Sequence, residues 1–341
     1  MNHIQPIQII GTQRSGSNLL RLMLNQFDEI TAPHPPHILQ RFTPLLPIYG
    51  NLDSKRSFLK LIDDVCTLVE RNPVAWEGIN LDRQNIYSLC KSNSLIEVFK
   101  VIYDLKAKKD NASFWACKSM ANIQYADDLE QAGIRPLYIH LYRDGRDVAC
   151  SFKKAIVGEK HVYHIANQWK NNQESCLALK EKVGSDRYIQ LSYENLIHSP
   201  EEEMKKLSQF LNIQFNPNVF DFYKSEESKN TAVAGKMWAN VTKPILKTNF
   251  NKYKKELSEL EVGIFEKLAG TILEKLDYRL EKTGIINGRP FTSDELNQFD
   301  KENKYLKERA LKSIDPQGVI LRKGQELLLK EIQARSEFIL Q

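Results

Sequence analysis

A short glycine-containing loop near the N-terminus places the strongest constraint on how this chain folds. The stretch IIGTQRSGSNLL, residues 9–20, joins an apolar, strand-like run to a segment whose apolar residues recur at helical spacing, with Ser17 as candidate N-cap. A helix N-terminus offers unpaired N–H groups and a positive dipole end, and small residues let the backbone approach a ligand closely. The loop therefore predicts a site for a phosphate-like anion.

Two departures separate this loop from the phosphate loop of nucleoside triphosphatases. Gly11 and Gly16 form the GxxxxG frame, but Ser17 and Asn18 stand where those enzymes carry Lys and Ser or Thr. Arg14 lies inside the loop and supplies a permanent cation without the triphosphatase lysine or Mg²⁺ ligand. We expect the loop to bind an anion without a metal, and a plain glycine turn is the structural alternative.

A second motif, LYRDGRDVACSF, spans residues 141–152 and also runs from an apolar strand into a helix. Arg143 stands at the strand end, and Ser151 follows eight residues later, about two helical turns on. A guanidinium fork and a hydroxyl that converge on one point suit a phosphate group. The motif predicts a second anion site.

Short apolar runs alternate with longer segments of helical period along most of the chain. Four of these runs are typical of strands, at residues 7–10, 114–117, 137–142 and 188–191. Each is followed by a polar turn and a helical pattern, which favours an α/β fold with a P-loop-type parallel sheet flanked by helices. Ser199 and Glu202 form a capping-box pattern around Pro200, which predicts the start of one helix.

The character of the sequence changes near residue 285. Residues 1–285 carry the α/β pattern, whereas residues 286–341 are dominated by Lys, Glu and Leu and predict a helical C-terminal extension. Leu328 and Ile332 mark an apolar face of this extension. We expect it to pack on the core or, in a homo-oligomer, on a second copy of the chain, and to take no part in chemistry.

Charge, cysteine content and hydropathy narrow the possible functions. The 48 basic and 43 acidic residues leave a net charge of +5, too weak a bias to indicate a nucleic-acid partner. The five cysteines show no CxxC pair and no histidines at metal-finger spacing, which predicts reduced thiols and no structural metal. The chain has neither a leader-like N-terminus nor an apolar stretch of about 18 residues, so we expect a cytoplasmic protein without a transmembrane segment.

Taken together, GTQRSGSNLL and YRDGRDVACS resemble the two cofactor signatures of sulfotransferases that use 3′-phosphoadenosine 5′-phosphosulfate (PAPS). The resemblance covers roughly residues 5–280 and implies PAPS as donor and 3′-phosphoadenosine 5′-phosphate (PAP) as product. It implies that Arg143 and Ser151 bind the 3′-phosphate. It also implies that the 5′-phosphosulfate is held by the first loop, namely Gly11, Thr12, Gln13, Arg14, Ser15, Gly16, Ser17 and Asn18.

The same resemblance assigns roles to three residues outside these motifs. Tyr193, in LSYENL, matches a family tyrosine that lies near the nucleotide. Lys118 stands 25 residues before Arg143, as does a lysine that touches the transferring group in several branches. Lys243, in VTKPIL, resembles a late lysine at the cofactor phosphates, most like that of the tyrosylprotein branch. A solvated surface charge is the alternative for either lysine.

The general base departs from the family pattern. Cytosolic sulfotransferases carry a catalytic histidine two residues after the first lysine, where this chain has Met120, which cannot accept a proton. The tyrosylprotein branch uses a glutamate just beyond the first helix, and the matching segment here offers His34 and His37 among stiffening prolines. A histidine suits proton abstraction at neutral pH, and His34 is the preferred candidate of the two. Two loop histidines without a chemical role are the alternative.

The resulting hypothesis is a metal-independent, in-line transfer of a sulfuryl group from PAPS to an acceptor hydroxyl or amine. His34 or His37 would take the acceptor proton, and Arg14 and Lys118 would stabilise the developing charge. A carbohydrate, lipid, peptide or small molecule would serve equally well as acceptor. A P-loop kinase or NTPase, and a non-catalytic nucleotide-binding module, are the competing interpretations.

Overall fold

The computed structural model describes residues 4–281, 289–312 and 316–339. Within these residues, five parallel strands form one sheet in the order β2-β3-β1-β4-β5. The strands are β1 (Gln5–Gly11), β2 (Ile30–Thr31), β3 (Phe114–Cys117), β4 (Leu137–Tyr142) and β5 (Tyr188–Ser192). The chain is thus a mixed α/β protein with a parallel sheet flanked by helices, as predicted.

Helices make all the connections between these strands. The α-helices are α1 (Ser17–Leu24), α2 (Ile38–Phe42), α3 (Lys55–Glu70), α4 (Arg83–Leu89), α5 (Leu95–Lys109), α6 (Ala126–Gln131), α7 (Gly145–Lys154), α8 (Val162–Val183), α9 (Tyr193–His198), α10 (Pro200–Leu211), α11 (Glu226–Val233), α12 (Tyr253–Glu256), α13 (Glu259–Lys275), α14 (Ser293–Leu311) and α15 (Pro316–Ile339). Short 3₁₀ helices span Thr43–Tyr49, Met120–Tyr125, Ser185–Arg187, Pro217–Lys224 and Lys236–Thr242.

Apolar residues of the central strand β1 alternate between the two faces of the sheet. Ile7 and Ile9 pack with residues of α1 and α10, whereas Ile10 packs with Cys176 and Leu179 of α8. All these side chains are nearly or fully excluded from solvent. Burial on both faces fixes the register of β1 and β4, and therefore the places where their carboxyl ends stop.

The four strands predicted from apolar runs are present, and each is at least as long as its run. The prediction missed β2, because two residues are too few to show a period. The capping role of Ser17 was wrong: Ser17 is the first residue of α1, and Gly16, with a left-handed φ of 86°, is the cap. The loop needs this left-handed turn to enter the helix, and glycine adopts it without strain.

The capping box around Pro200 is also wrong, although α10 begins at that proline as predicted. The Ser199 side chain makes no capping hydrogen bond. Ser199 ends α9 as well as beginning α10, and its ψ of 56° differs from the extended conformation of an N-cap residue. Because Ser199 alone links α9 to α10, its backbone cannot adopt the extended conformation that the predicted capping box requires.

The C-terminal extension packs on the core of the same chain. Leu328 and Ile332 of α15 are buried in the cluster that also contains α3 and α5. Arg335 forms an ion pair with the buried carboxylate of Asp64 at 2.5 Å, and Phe299 of α14 stacks on His161 with ring centroids 4.5 Å apart. The predicted boundary at residue 285 lies outside the described residues. The homo-oligomer stays a prediction.

Candidate functional site

The loop between β1 and α1 depends on two glycines at its ends. Gly11 has a φ of 131°, and a Cβ there would lie 2.4 Å from the Leu141 carbonyl oxygen. Gly16 has a φ of 86°, and a Cβ there would lie 2.3 Å from the Tyr193 ring. Side chains at either position would both strain the backbone and displace a neighbour. The two glycines thus let the loop turn tightly between β4 and Tyr193.

The two sequence motifs meet through a direct hydrogen bond. β1 and β4 are neighbours in the sheet, so the loop after β1 and the segment after β4 lie side by side. The Arg14 guanidinium donates from Nε to the Ser151 hydroxyl at 2.9 Å. Arg143 donates to the backbone carbonyl of Arg14 at 3.3 Å. Residues that are 137 positions apart in sequence therefore form one polar cluster.

Arg143 is buried and held from three sides. Its guanidinium donates to the Asn249 carbonyl at 2.8 Å, lies 3.4 Å from an Asp147 carboxylate oxygen, and stacks 4.5 Å from the centroid of the Tyr193 ring. The Tyr193 hydroxyl accepts a hydrogen bond from the Asn249 side chain at 2.6 Å. Arg143 Nε has no hydrogen-bond partner among the described residues, although it is buried. A ligand oxygen would satisfy this donor.

A cleft of about 960 Å³ opens over this cluster. This volume is large enough for a nucleotide together with a second small molecule. The predicted site residues that line the cleft are Gln13, Arg14, Gly16, Ser17, Asn18, His34, His37, Lys118, Arg143, Ser151, Tyr193 and Lys243. Gly11, Thr12 and Ser15 belong to the loop but do not line the cleft. Thr12 instead accepts hydrogen bonds from Asn172 and Gln173 beneath it.

Lys118 follows β3 and is buried beside the first loop, with an exposed fraction of 8%. Burial lowers the pKa of Lys118 to about 7, and the cations Arg21 and Arg14 act in the same direction. Burial also lowers the pKa of Arg14, and the Arg143 charge contributes. Burial destabilises the charged forms of these side chains, and an anion that enters the cleft stabilises them, so the cleft favours anion binding.

His34 and His37 lie in the segment between β2 and α2, and both line the cleft. His37 is the residue before α2 and has a left-handed φ of 60°. Its Nδ1 lies 3.0 Å from the Ser119 hydroxyl. The backbone carbonyl of His34 accepts hydrogen bonds from Asn72 at 2.9 Å and from the Trp76 indole at 2.7 Å. The first contact orients the His37 ring toward the segment after β3, and the other two hold the His34 backbone against the segment after α3.

Both histidines are neutral in this environment. Burial lowers the pKa of His34 well below its usual value, with a further contribution from the Lys118 charge. Burial and the same lysine lower the pKa of His37 to about 3. A neutral imidazole keeps a lone pair that can accept a proton, so each ring is in the form that a general base requires.

The described residues contain no group of three or more His, Cys, Asp or Glu side chains placed to hold a metal ion. The five cysteines are free thiols. In the described part of the chain, no helix combines the length and the apolar character needed to cross a bilayer.

A model of the Sulfotransferase family matches residues 6–217, which include both anion motifs and the histidine segment. The chain belongs to the sulfotransferase family. The match ends before Lys243 and before the C-terminal extension. A comparison with curated proteins gives no match.

Solved sulfotransferase domains share the fold of this sulfotransferase. The domain from the olefin synthase of Synechococcus PCC 7002 has 20% sequence identity and a TM-score of 0.56, covering 82% of this chain and 97% of that chain. The domain from the curacin biosynthetic pathway has 21% identity and a TM-score of 0.55, covering 82% of this chain and 100% of the other. At these identities the comparison concerns the fold alone.

Several residues of this sulfotransferase site carried no signal in the sequence. Arg21 of α1 is fully buried and joins three segments, donating to the Ala32 carbonyl at 2.8 Å, Glu227 at 2.6 Å and Thr231 at 2.8 Å. Asn249 accepts a hydrogen bond from Arg143 through its backbone carbonyl and donates one from its side chain to the Tyr193 hydroxyl. The extension also reaches the cleft: Leu311, Arg322, Gln325 and Glu326 line it. The extension therefore lines the cleft in addition to packing on the core as expected.

Proposed function

We propose that this sulfotransferase transfers a sulfuryl group from PAPS to an acceptor hydroxyl or amine. The observation that carries the proposal is the hydrogen bond between Arg14 and Ser151, which joins the two anion motifs in one cleft. The cleft residues fit such a donor, because a buried Arg143 Nε lacks a partner among the described residues and the nearby cations have depressed pKa values. Two anionic groups of one nucleotide would satisfy both features.

In the reaction, the donor's bond from sulfur to the bridging phosphate oxygen breaks as the acceptor atom bonds to sulfur, and PAP leaves. Residues 11–18 bind the 5′-phosphosulfate through their backbone N–H groups at the start of α1. Arg14 and Lys118 stabilise negative charge on the sulfuryl and bridging oxygens, so the electrostatic work falls to side chains and loop amides. Arg143 and Ser151 bind the 3′-phosphate, with Tyr193 and Lys243 as further contacts to the nucleotide.

Hydrogen bonds favour His37 over His34 as the general base. The Asn72 amide nitrogen donates to the carbonyls of His34 and Val74, at 2.9 and 2.8 Å, which fixes the orientation of the amide. This nitrogen also lies 3.5 Å from His34 Nδ1, where a ring N–H would point at the amide NH₂ group. We therefore place the proton of the neutral His34 ring on Nε2, which then cannot accept the acceptor's proton. For His37 we place the ring proton on Nδ1, which lies 3.0 Å from the Ser119 hydroxyl and would donate to it, so that the Nε2 lone pair stays open.

The donor assignment is tested by comparing PAP with ATP in thermal unfolding and calorimetry. ATP lacks the 3′-phosphate, so PAP should raise the melting temperature far more than ATP does. Ser151→Ala should weaken PAP binding by roughly 1.5–3 kcal/mol, the usual range for a hydrogen bond to a charged group. Ser185→Ala, at an exposed serine distant from the cleft, is the matched control.

Three outcomes would contradict the proposal. Equal stabilisation by PAP and ATP would remove the 3′-phosphate site. Mg²⁺-dependent turnover of ATP would indicate a nucleoside triphosphatase. Tight PAP binding without sulfate transfer to any metabolite or protein of a host extract, followed by mass spectrometry, would indicate a non-catalytic nucleotide-binding module.

A further inference from the structure

Two arginines from distant segments face the cleft on the side of the histidines. Arg41 belongs to α2 and Arg322 to α15 in the C-terminal extension, and both line the cleft. The family match covers Arg41 but ends well before Arg322. Neither residue belongs to the two anion motifs, so neither has a role in the proposed donor site.

Aromatic and amide side chains connect these arginines to His34. The Trp238 ring lies 5.2 Å from the His34 ring, and the Arg322 guanidinium carbon lies 5.7 Å from the Trp238 ring. Arg41 donates to the Gln325 side chain at 2.8 Å, and Gln325 lies 3.4 Å from the Asn72 amide oxygen. Asn72 also donates a hydrogen bond to the carbonyl of His34. These contacts connect both guanidiniums to the histidine segment, where the proposed reaction places the acceptor hydroxyl.

Among the described residues, neither guanidinium forms an ion pair. Arg41 is bonded to the neutral amide of Gln325, and Arg322 lies over the neutral Trp238 ring. No carboxylate among the described residues lies within ion-pair distance of either one, and the exposed Glu326 acts on both charges from farther away. Burial lowers the pKa of both arginines, and Arg322 contributes to the shift of Arg41. Two half-buried like charges are costly unless an anion lies between them.

We infer that Arg41 and Arg322 form a subsite for a negatively charged group of the acceptor, such as a carboxylate or a phosphate ester. The inference rests on the proposed sulfotransferase reaction, in which the acceptor hydroxyl lies at the histidines. Pro35, Trp238 and Leu311 line the same cleft and suit an apolar or aromatic body between the hydroxyl and the anion. The acceptor class is therefore an amphipathic hydroxylated acid, and the extension supplies half of the charge that selects it.

Matched phenols provide the test, because they differ in charge at nearly constant shape. The probes are 4-hydroxybenzoate, 4-hydroxyphenylacetate and 3-(4-hydroxyphenyl)propionate, each paired with its primary amide, titrated by calorimetry into the full chain saturated with PAP. At least one acid should bind about tenfold more tightly than its amide, the effect of one charge-assisted contact. Arg41→Gln and Arg322→Gln should each remove most of that preference. Lys323→Gln removes an exposed charge of α15 and should leave it unchanged.

PAP affinity of the same variants separates this inference from the donor assignment. Both arginine variants should bind PAP as the unmodified chain does, since the subsite belongs to the acceptor. If no acid binds more tightly than its amide, or if the preference survives both substitutions, the inference is wrong. A loss of PAP affinity in either variant would also overturn it, because the arginines would then serve the nucleotide. Failure of the unmodified chain to bind PAP would refute the donor assignment instead.

Discussion

Buried cations dominate the chemistry of this site at the level of single residues. Arg14 and Lys118 are largely buried, and burial lowers the pKa values of both. Arg21, in contrast, is paired with Glu227 at 2.6 Å and acts mainly as a structural tie. Desolvated charge disfavours the free protein and is stabilised when an anion enters, so in the proposed function the same residues lower stability and favour donor binding.

The pKa of Lys118 predicts how PAP affinity depends on pH. This pKa is about 7 in the free protein, and bound phosphate raises it, because a nearby anion favours the ammonium form. Affinity is therefore complete below pH 7 and falls above it, by up to tenfold per pH unit until the pKa of the complex is reached. Calorimetry in buffers of different ionisation enthalpy should detect proton uptake above pH 7.

Lys118→Arg is the control for this pH dependence. An arginine stays charged across the range, so its affinity should lose the decline above pH 7 that Lys118 causes. Ionisation of PAP itself affects both proteins alike, and the difference between their slopes isolates the lysine. Identical slopes and no proton uptake would contradict the assignment.

If His37 is the base, replacing His37 and replacing His34 should lower the single-turnover rate by different amounts. His37→Ala should lower the single-turnover rate by about 10²–10⁴ with PAP affinity nearly unchanged, since proton abstraction acts only in the transition state. His34→Ala should cost much less, because the His34 ring faces an amide donor at Nδ1. The measurement uses an acceptor identified by its sulfate mass increment. Near-normal rates in both single variants and in the double variant would place the base outside this segment.

The depressed pKa of His37 also changes the expected pH profile. A free loop histidine would give a rate that rises through a pKa near 6.5. Burial and the Lys118 charge lower the pKa of His37 to about 3 in the free protein. The rise in kcat/KM should therefore lie well below pH 6.5. Bound donor anions raise the pKa again, and the rise in kcat should lie at higher pH. If kcat/KM and kcat both rose at the same pH, at or above 6.5, this electrostatic account would be wrong.

At the level of elements, adjacency of β1 and β4 explains why two motifs far apart in sequence form one cluster. The apolar runs predicted both strands, and the family resemblance implied that both motifs bind one donor. The adjacency itself, which brings the carboxyl ends of parallel neighbours to the same edge of the sheet, is a finding of the structure. Ser119 and Asn249 could not be predicted. The first contacts His37 from a segment 82 positions away. The backbone carbonyl of Asn249 accepts a hydrogen bond from Arg143, and its side chain donates one to the Tyr193 hydroxyl. Such contacts depend on tertiary packing rather than on residue type.

Gly16 provides a prediction for the loop as an element. An alanine there would have a φ of 86° and a Cβ 2.3 Å from the Tyr193 ring, so the ring must move away from Arg143. Gly16→Ala should lower the free energy of unfolding by about 1–3 kcal/mol, the usual cost of a strained residue, and should also weaken PAP binding. Chemical denaturation and calorimetry measure the two effects.

Gly133→Ala is the matched control, because Gly133 has a similar φ of 72° but nothing within 4 Å of its Cβ position. It carries the backbone strain without the displaced ring, and should reduce stability without affecting PAP. If the two variants lose PAP affinity equally, the contact between Gly16 and Tyr193 has no role in the site.

At the scale of the whole molecule, the extension contacts both ends of the cleft. α15 supplies Arg322 and Gln325 on the acceptor side. α14 places the Asn303 side-chain oxygen 2.8 and 3.0 Å from the backbone nitrogens of Lys160 and His161. Lys160 and His161 stand at the end of the segment that follows α7. Residues 155–157, at the start of this segment, line the cleft near Ser151. The apolar face at Leu328 and Ile332 predicted packing, but a polar residue such as Asn303 gave no indication of its partner.

The Asn303 contact leads to a prediction about long-range support of the donor site. Asn303→Ala removes the acceptor for the backbone N–H groups of Lys160 and His161 and should loosen residues 155–161, because unsatisfied donors favour local opening. Hydrogen exchange should rise in that segment, and PAP affinity should fall several-fold while the global melting temperature changes little. Gln298→Ala, on the exposed face of α14, is the control. Unchanged exchange and affinity in Asn303→Ala would mean that the extension supports only the acceptor side.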